Sequence, residues 1–143
     1  MVQADIVKRL LIETDVLLAV LNRSDPANLL ARKALEQDGL SLSPFSLLEV
    51  NLLARAGKLE IKNFGGFAKD LTQLLSAKSI RTLNDRPEYH SEARRLESAF
   101  RLTFFDSLHG AVAKVQREVI VSFDRAYDRL AKEGIKRLDP KDL

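Results

Sequence analysis

The 143-residue chain has no cysteine, no tryptophan, a single methionine and two histidines, His90 and His109. The lack of thiols excludes disulfides and thiolate-bound metals and suits an intracellular setting. Two histidines are too few for a zinc site of the usual histidine-rich kind. No apolar run approaches the roughly 18 residues that a membrane span needs. The opening MVQADIVKRLLIETD carries an early Asp and no small-residue cleavage site. It does not read as a signal peptide, and a cytoplasmic protein is expected. Internal repeats, low-complexity tracts, linkers and Gly-rich phosphate loops are also missing. One domain over residues 1–143 is the expectation.

What is present is an ordinary globular composition, 45% apolar and 30% charged. The 23 basic and 20 acidic residues leave a net charge of +3. If several of those carboxylates converge on one spot, the rest of the surface is distinctly basic, which suits a polyanionic partner. Strands are expected at 7–13 (VKRLLIE), 40–43, 80–83, 119–123 (VIVSF) and 135–138. Helices are expected from Asp25-Pro26 to Gly39, from Ser43-Pro44 to about Arg55, over 66–77, from Pro87 to Phe100, from Thr103 to about Arg117 and over 125–132. This alternation implies βαβ units, hence a parallel sheet covered on both faces, with ligands bound beyond the carboxyl ends of its strands.

Polar residues at those strand ends are the candidates. Glu13 and Asp15 follow the first strand, and side chains two apart on an extended chain point the same way. Asp15 reads equally as the N-cap of a helix starting at Val16, with Glu13 solvated. Glu49 shares a helix face with Phe45, Leu52 and Leu53, so it points inward unless the buried stripe runs through Leu47, Val50 and Ala54. Asp106 lies three residues after the capping Thr103, where the helix dipole favours an acid; Gly110 and Ala113 on its face leave room beside it. Asp124 is a good N-cap for RAYDRLAKE, and Ser122 can reach the same pocket. Each residue has a structural explanation by itself. Brought together, Glu13, Asp15, Glu49, Asp106 and Asp124 would need a cation, because like charges a few ångströms apart raise one another's pKa. Mg2+ or Mn2+, hard ions bound by carboxylates, would supply it.

ETDVLL, SPFSLLEV, LTFFDSLHGAVA and VSFDRAYD, in that order and spacing, resemble the PIN domain ribonucleases, in particular the VapC-type toxins of archaea and bacteria. LTFFDSLHGAVA is the most specific segment, VSFDRAYDRL the next. The resemblance implies a three-layer α/β/α sandwich around a central parallel sheet. It also implies a Mg2+- or Mn2+-dependent endoribonuclease acting on structured RNA such as tRNA or rRNA. Such a protein is the toxin of a toxin–antitoxin pair, with a small antitoxin as partner, and is frequently a homodimer. The metal carboxylates carried over by position are Glu13, Glu49, Asp106 and Asp124, with Asp15 sharing the first-strand charge and Ser122 as a secondary donor. The family's first acid is normally Asp, followed by Thr; here it is Glu13, longer by one methylene. That departure keeps a second reading open, a non-catalytic PIN-like module that binds RNA or protein. His109 is read as a packing or hydrogen-bonding residue and His90 as a surface residue. Leu71, Leu74 and Leu75 are read as a dimer face or core. Arg23, Arg55, Lys58, Arg125 and Arg129 are candidate phosphate contacts.

Overall fold

A run with no polar residue on either face belongs between two layers of helices. Leu10, Leu11 and Ile12 form such a strand, β1 (Leu10–Ile12), in which Leu11 and Ile12 expose nothing to solvent. Burying each side chain of this kind contributes about 1.5–3 kcal/mol. In the computed structural model, which describes residues 8–143, β2 (Leu40–Leu42) and β4 (Val119–Val121) flank β1, and β3 (Arg81–Thr82) and β5 (Arg137–Leu138) form the edges. All pairs are parallel, with Leu11 opposite Ser41 on one side and Ile120 on the other.

Leu10, Ile12, Leu42 and Val121 turn to one face of the sheet. There they pack on Val16 and Leu17 of α1 (Thr14–Leu21), Ala31 of α2 (Asn28–Ala34) and Leu71 of α4 (Phe64–Ala77). Leu11 and Ile120 turn to the other face. They meet Leu96 of α5 (Pro87–Phe100), Val112 of α6 (Phe104–Gln116) and Leu130 of a 3-10 helix, Arg125–Glu133. A last 3-10 turn spans Pro140–Asp142. The result is a three-layer α/β/α sandwich. α3 (Ser46–Arg55) buries only Ser46 and Val50, leaves Leu47, Leu48 and Leu52 exposed, and ends where Gly57 adopts a φ of +73°. The chain builds outward from β1 to β2 and β3, then returns to lay β4 and β5 on the other side of β1. The winding therefore reverses between β1 and β4, the crevice where open α/β sheets bind ligands.

Several local expectations shift. Val7 of the expected first strand, like the rest of MVQADIV, lies outside the described residues. The helix expected from Asp25 begins at Asn28, because the Asp25 carboxylate closes a turn on the Ala27 N–H (2.8 Å) instead of capping the helix. Of the two readings of Leu71, Leu74 and Leu75, core describes Leu71, which is buried, while Leu74 and Leu75 pack against the same cluster and stay partly exposed. Gly110 faces the 3-10 helix rather than the Asp106 carboxylate: a Cβ there would lie 2.8 Å from Leu130 Cδ1. It admits close helix packing, not a ligand.

Candidate metal centre

Glu13 continues the β1–β4 ladder by one bond, its N–H donating to the Val121 carbonyl (3.1 Å), and then turns the chain into α1. Glu13, not Asp15, is the N-cap of α1; its Oε2 receives the Asp15 N–H at 3.4 Å. The residue is only 5% exposed, not solvated. Asp15 sits in the first helical turn and accepts three hydrogen bonds, from Ser122 Oγ (2.8 Å), Phe123 N–H (3.0 Å) and Val16 N–H (2.7 Å). Ser122 Oγ also lies 3.4 Å from Glu13 Oε2 and receives the Asp124 N–H (3.0 Å). Glu13 and Asp15 thus converge as expected, but through a helix cap rather than strand alternation. Asp15 holds the start of α1 against the exit of β4.

α3 and α6 supply the rest. Glu49 points inward, as one reading of its helix face predicted, and its Oε1 lies 3.0 Å from Nε2 of His109, which donates to it. The same nitrogen is 3.6 Å from Glu13 Oε1 and 3.4 Å from the Thr14 hydroxyl. One donor atom each from Glu13, Glu49 and His109 falls within 4.8 Å of the other two. His109 is completely buried, stacks on Phe105 with ring centres 6.4 Å apart, and leaves Nδ1 without a partner. Asp106, one turn earlier on α6, receives the Tyr127 hydroxyl on Oδ1 (3.2 Å), while its N–H caps onto Thr103 Oγ1 (3.2 Å). Asp124 is exposed and caps the 3-10 helix through the Ala126 N–H (2.8 Å). Tyr127 was missed in the sequence; its signal is an aromatic three residues after Asp124.

The electrostatics divide the acids. Burial pushes Glu13 well above the ordinary carboxylate range, and the charges of Asp15, Glu49 and Asp106 push the same way. Burial also raises Asp15, against the opposing pull of its hydrogen-bond donors. Asp106 is raised by burial and then by the nearby charge of Asp124. Glu49 goes the other way. Burial would raise it, but the hydrogen bond and charge of His109 and a hydrogen bond from Thr14 more than offset that, and it ends below its usual value. The group as a whole repels itself, and a cation would relieve the repulsion.

Fold and site together define the class: a three-layer α/β domain with a buried acidic centre where its winding reverses. Residues 10–133 match the PIN domain family; the chain belongs to that family. Solved structures share the fold at low identity. A protein from Pyrobaculum aerophilum is 23% identical with a TM-score of 0.63, the match covering 94% of this chain and 85% of that one. VapBC-1 from nontypeable Haemophilus influenzae is 11% identical with a TM-score of 0.68, covering 92% and 98%. FitAcB from Neisseria gonorrhoeae is 20% identical with a TM-score of 0.63, covering 94% and 99%. No curated protein is similar enough in sequence to count as a match. No helix among the described residues is long and apolar enough to cross a membrane.

Proposed function

We propose that the chain is a divalent-metal-dependent endoribonuclease that acts on structured RNA, of the tRNA or rRNA class, as the toxin of a toxin–antitoxin pair. One observation carries this reading: Glu13 at the end of β1 and Glu49 of α3 converge with His109 of α6 on a single buried spot where the winding reverses. Asp15 and Asp106 lie close enough for their charges to act on Glu13, and among the described residues no Lys or Arg pairs with Glu13 or Glu49. The donor set fits a hard divalent ion. Glu13 and Glu49 offer carboxylate oxygens beside the His109 nitrogen, with Asp106 one turn earlier on α6 as a further acid, and Mg2+ or Mn2+ prefers oxygen ligands. When bound, such an ion lowers the pKa of water and neutralises charge on a phosphodiester.

The chain's own residues do the rest. His109 orients Glu49, Tyr127 orients Asp106, and Asp15 with Ser122 fixes the loop that carries Asp124. Asp124 adds charge beside Asp106. Arg125 and Arg129, exposed on the 3-10 helix that Asp124 caps, offer phosphate contacts together with exposed Arg23, Arg55 and Lys58.

A cavity of about 560 Å³ adjoins the centre, with Asp15, Asp25 and Glu60 beside apolar Leu18, Leu21 and Phe67. An amphipathic antitoxin segment with a basic residue aimed at Asp15 suits that lining. Toxin–antitoxin complexes among the solved structures of this fold support such a partner. The exposed leucines of α3 are available for a homodimer, which light scattering would detect.

The test is incubation with labelled RNA in Mg2+, Mn2+ or EDTA. Cleavage that requires the ion and disappears in Asp106→Asn is expected. Metal-independent binding without cleavage would favour the non-catalytic module instead. That second reading draws on the internal partners of Glu13, whose two oxygens already meet the Asp15 N–H, Ser122 and His109.

A further inference from the structure

Between α5 and α6 lies a second cavity, of about 230 Å³, separate from the acidic centre. Its lining includes two small residues, Ala93 and Ser107, both buried. One wall is the ring of Phe104, 60% exposed although it is a large apolar group. Another is His90, hydrogen-bonded to Asp85 (2.9 Å) and in edge contact with Phe45 (ring centres 5.3 Å apart). Arg94 and Glu97, one turn apart on α5, complete the lining. Among the described residues they take no part in the ion pairs of that helix, which run through Arg86–Glu88 and Glu92–Arg95.

The contents of this pocket point to one ligand class. Its volume is below the roughly 300–1,000 Å³ of pockets for drug-sized ligands, yet it admits a single flat ring. It offers an aromatic face, a guanidinium that donates and a carboxylate that accepts. Unpaired RNA bases are recognised by those three elements, stacking on an aromatic and hydrogen bonds to the base edge. The pocket is also coupled in space to the acidic centre. Phe104 packs edge-on against Phe105 (5.2 Å between centres), and Phe105 stacks on His109, which holds Glu49.

We propose that this pocket is a nucleobase subsite, in which an unpaired base stacks on Phe104 and presents its edge to Arg94 and Glu97. The inference rests on the nuclease reading above and adds to it a selectivity for RNA with an unstacked base close to the cleaved bond.

The chain contains no tryptophan, so Phe104→Trp installs a lone fluorescent indole at the pocket wall. Short single-stranded RNAs titrated in EDTA should quench its emission saturably. In the same buffer Phe104→Ala should bind RNA roughly 5- to 150-fold more weakly than wild type, the loss of one stacked base. Its melting temperature should stay unchanged, since Phe104 is exposed. Arg94→Ala should alter the preference among the four homopolymers. Wild-type-like RNA affinity in Phe104→Ala, or no quenching in Phe104→Trp, overturns the subsite. So does a change in self-association that leaves RNA binding intact, which would make the surface a protein interface. Quenching by RNA that wild type never cleaves in any metal would keep the subsite and remove the nuclease. Metal-dependent cleavage without quenching would do the reverse.

Discussion

Two buried glutamates at opposite ends of the central strands behave as opposites. Glu118 stands just before β4 and Glu13 just after β1, 4% and 5% exposed. Glu118 Oε1 has a partner of each kind, the Ser41 hydroxyl (2.9 Å) and the half-exposed Arg81 guanidinium (3.3 Å). Among the described residues Glu13 meets no Lys or Arg; its basic neighbour is the His109 imidazole, shared with Glu49, and three other acids press on it. A carboxylate supplied with its own cation is a structural tie. One surrounded by like charge would be relieved by a cation from outside, and the difference separates the floor of this sheet from its rim.

The largest effect should come from emptying the rim of charge. Asp106→Asn or Glu49→Gln should slow RNA cleavage on the order of 10²–10³-fold, measured on labelled RNA at saturating Mn2+. Both should also abolish thermal stabilisation by the ion, which in wild type should reach about 2.7 kcal/mol when Mn2+ is at a hundred times its dissociation constant. If the neutral variants melt and rise with Mn2+ as wild type does, the rim is not an ion site.

Glu118→Ala tests the other end. It should cost about 1–3 kcal/mol in urea unfolding, from an unpaired Ser41 hydroxyl and a lost charge-assisted bond. The loss stays below the 3–5 kcal/mol of a broken, fully buried pair because Arg81 is 47% exposed and remains hydrated. Cleavage by the folded fraction should be unaffected. Activity lost as completely as in Asp106→Asn would erase the distinction between the two ends.

A pH series sharpens the comparison further. Glu13 binds its proton more tightly in the folded state than in the unfolded one, so its contribution to stability is fully present below the unfolded value and is lost as pH rises through the raised, folded value. The metal-free protein should therefore lose stability as pH climbs above the ordinary carboxylate range. Glu13→Gln should flatten that loss and melt higher than wild type at neutral pH in EDTA, while binding Mn2+ more weakly. A variant that melts lower than wild type at every pH would mean that the Glu13 charge is stabilised rather than strained.

The sheet was legible because its signals are local. Leu10-Leu11-Ile12 and Val119-Ile120-Val121 are apolar on both faces, and α5 runs over Pro87–Phe100 as its first proline and apolar spacing predict. The inward turn of Glu49 could be read from Phe45 and Leu53 on its own helix. Asp15 could not be resolved, because a cap and a site acid look alike until the chain's turn is known; Glu13 takes the cap and Asp15 ties itself to Ser122, 107 residues away. Likewise Ser41 and Glu118 meet across 77 residues, and His109 reaches Glu49 across 60. Contacts at such separations depend on which strands become neighbours, and the order β3-β2-β1-β4-β5 leaves no periodic trace in the residues that make them.

The finest test concerns one methylene. The family's usual Asp can be restored by Glu13→Asp, and an Asp serves a helix N-cap as well as Glu does or better. Stability should fall by no more than about 0.8 kcal/mol, the burial of one CH2. The shorter acid withdraws from His109 Nε2 and Ser122 Oγ, now 3.6 and 3.4 Å away, but keeps its charge at the end of β1. If charge is what the position contributes, Mn2+ affinity by calorimetry should stay within about tenfold of wild type, the lower end of what lost supporting contacts cost a metal site, and well above that of Glu13→Gln. An affinity as poor as that of the neutral variant would mean that reach matters as much as charge, and that the longer side chain and the imidazole beside it were selected together.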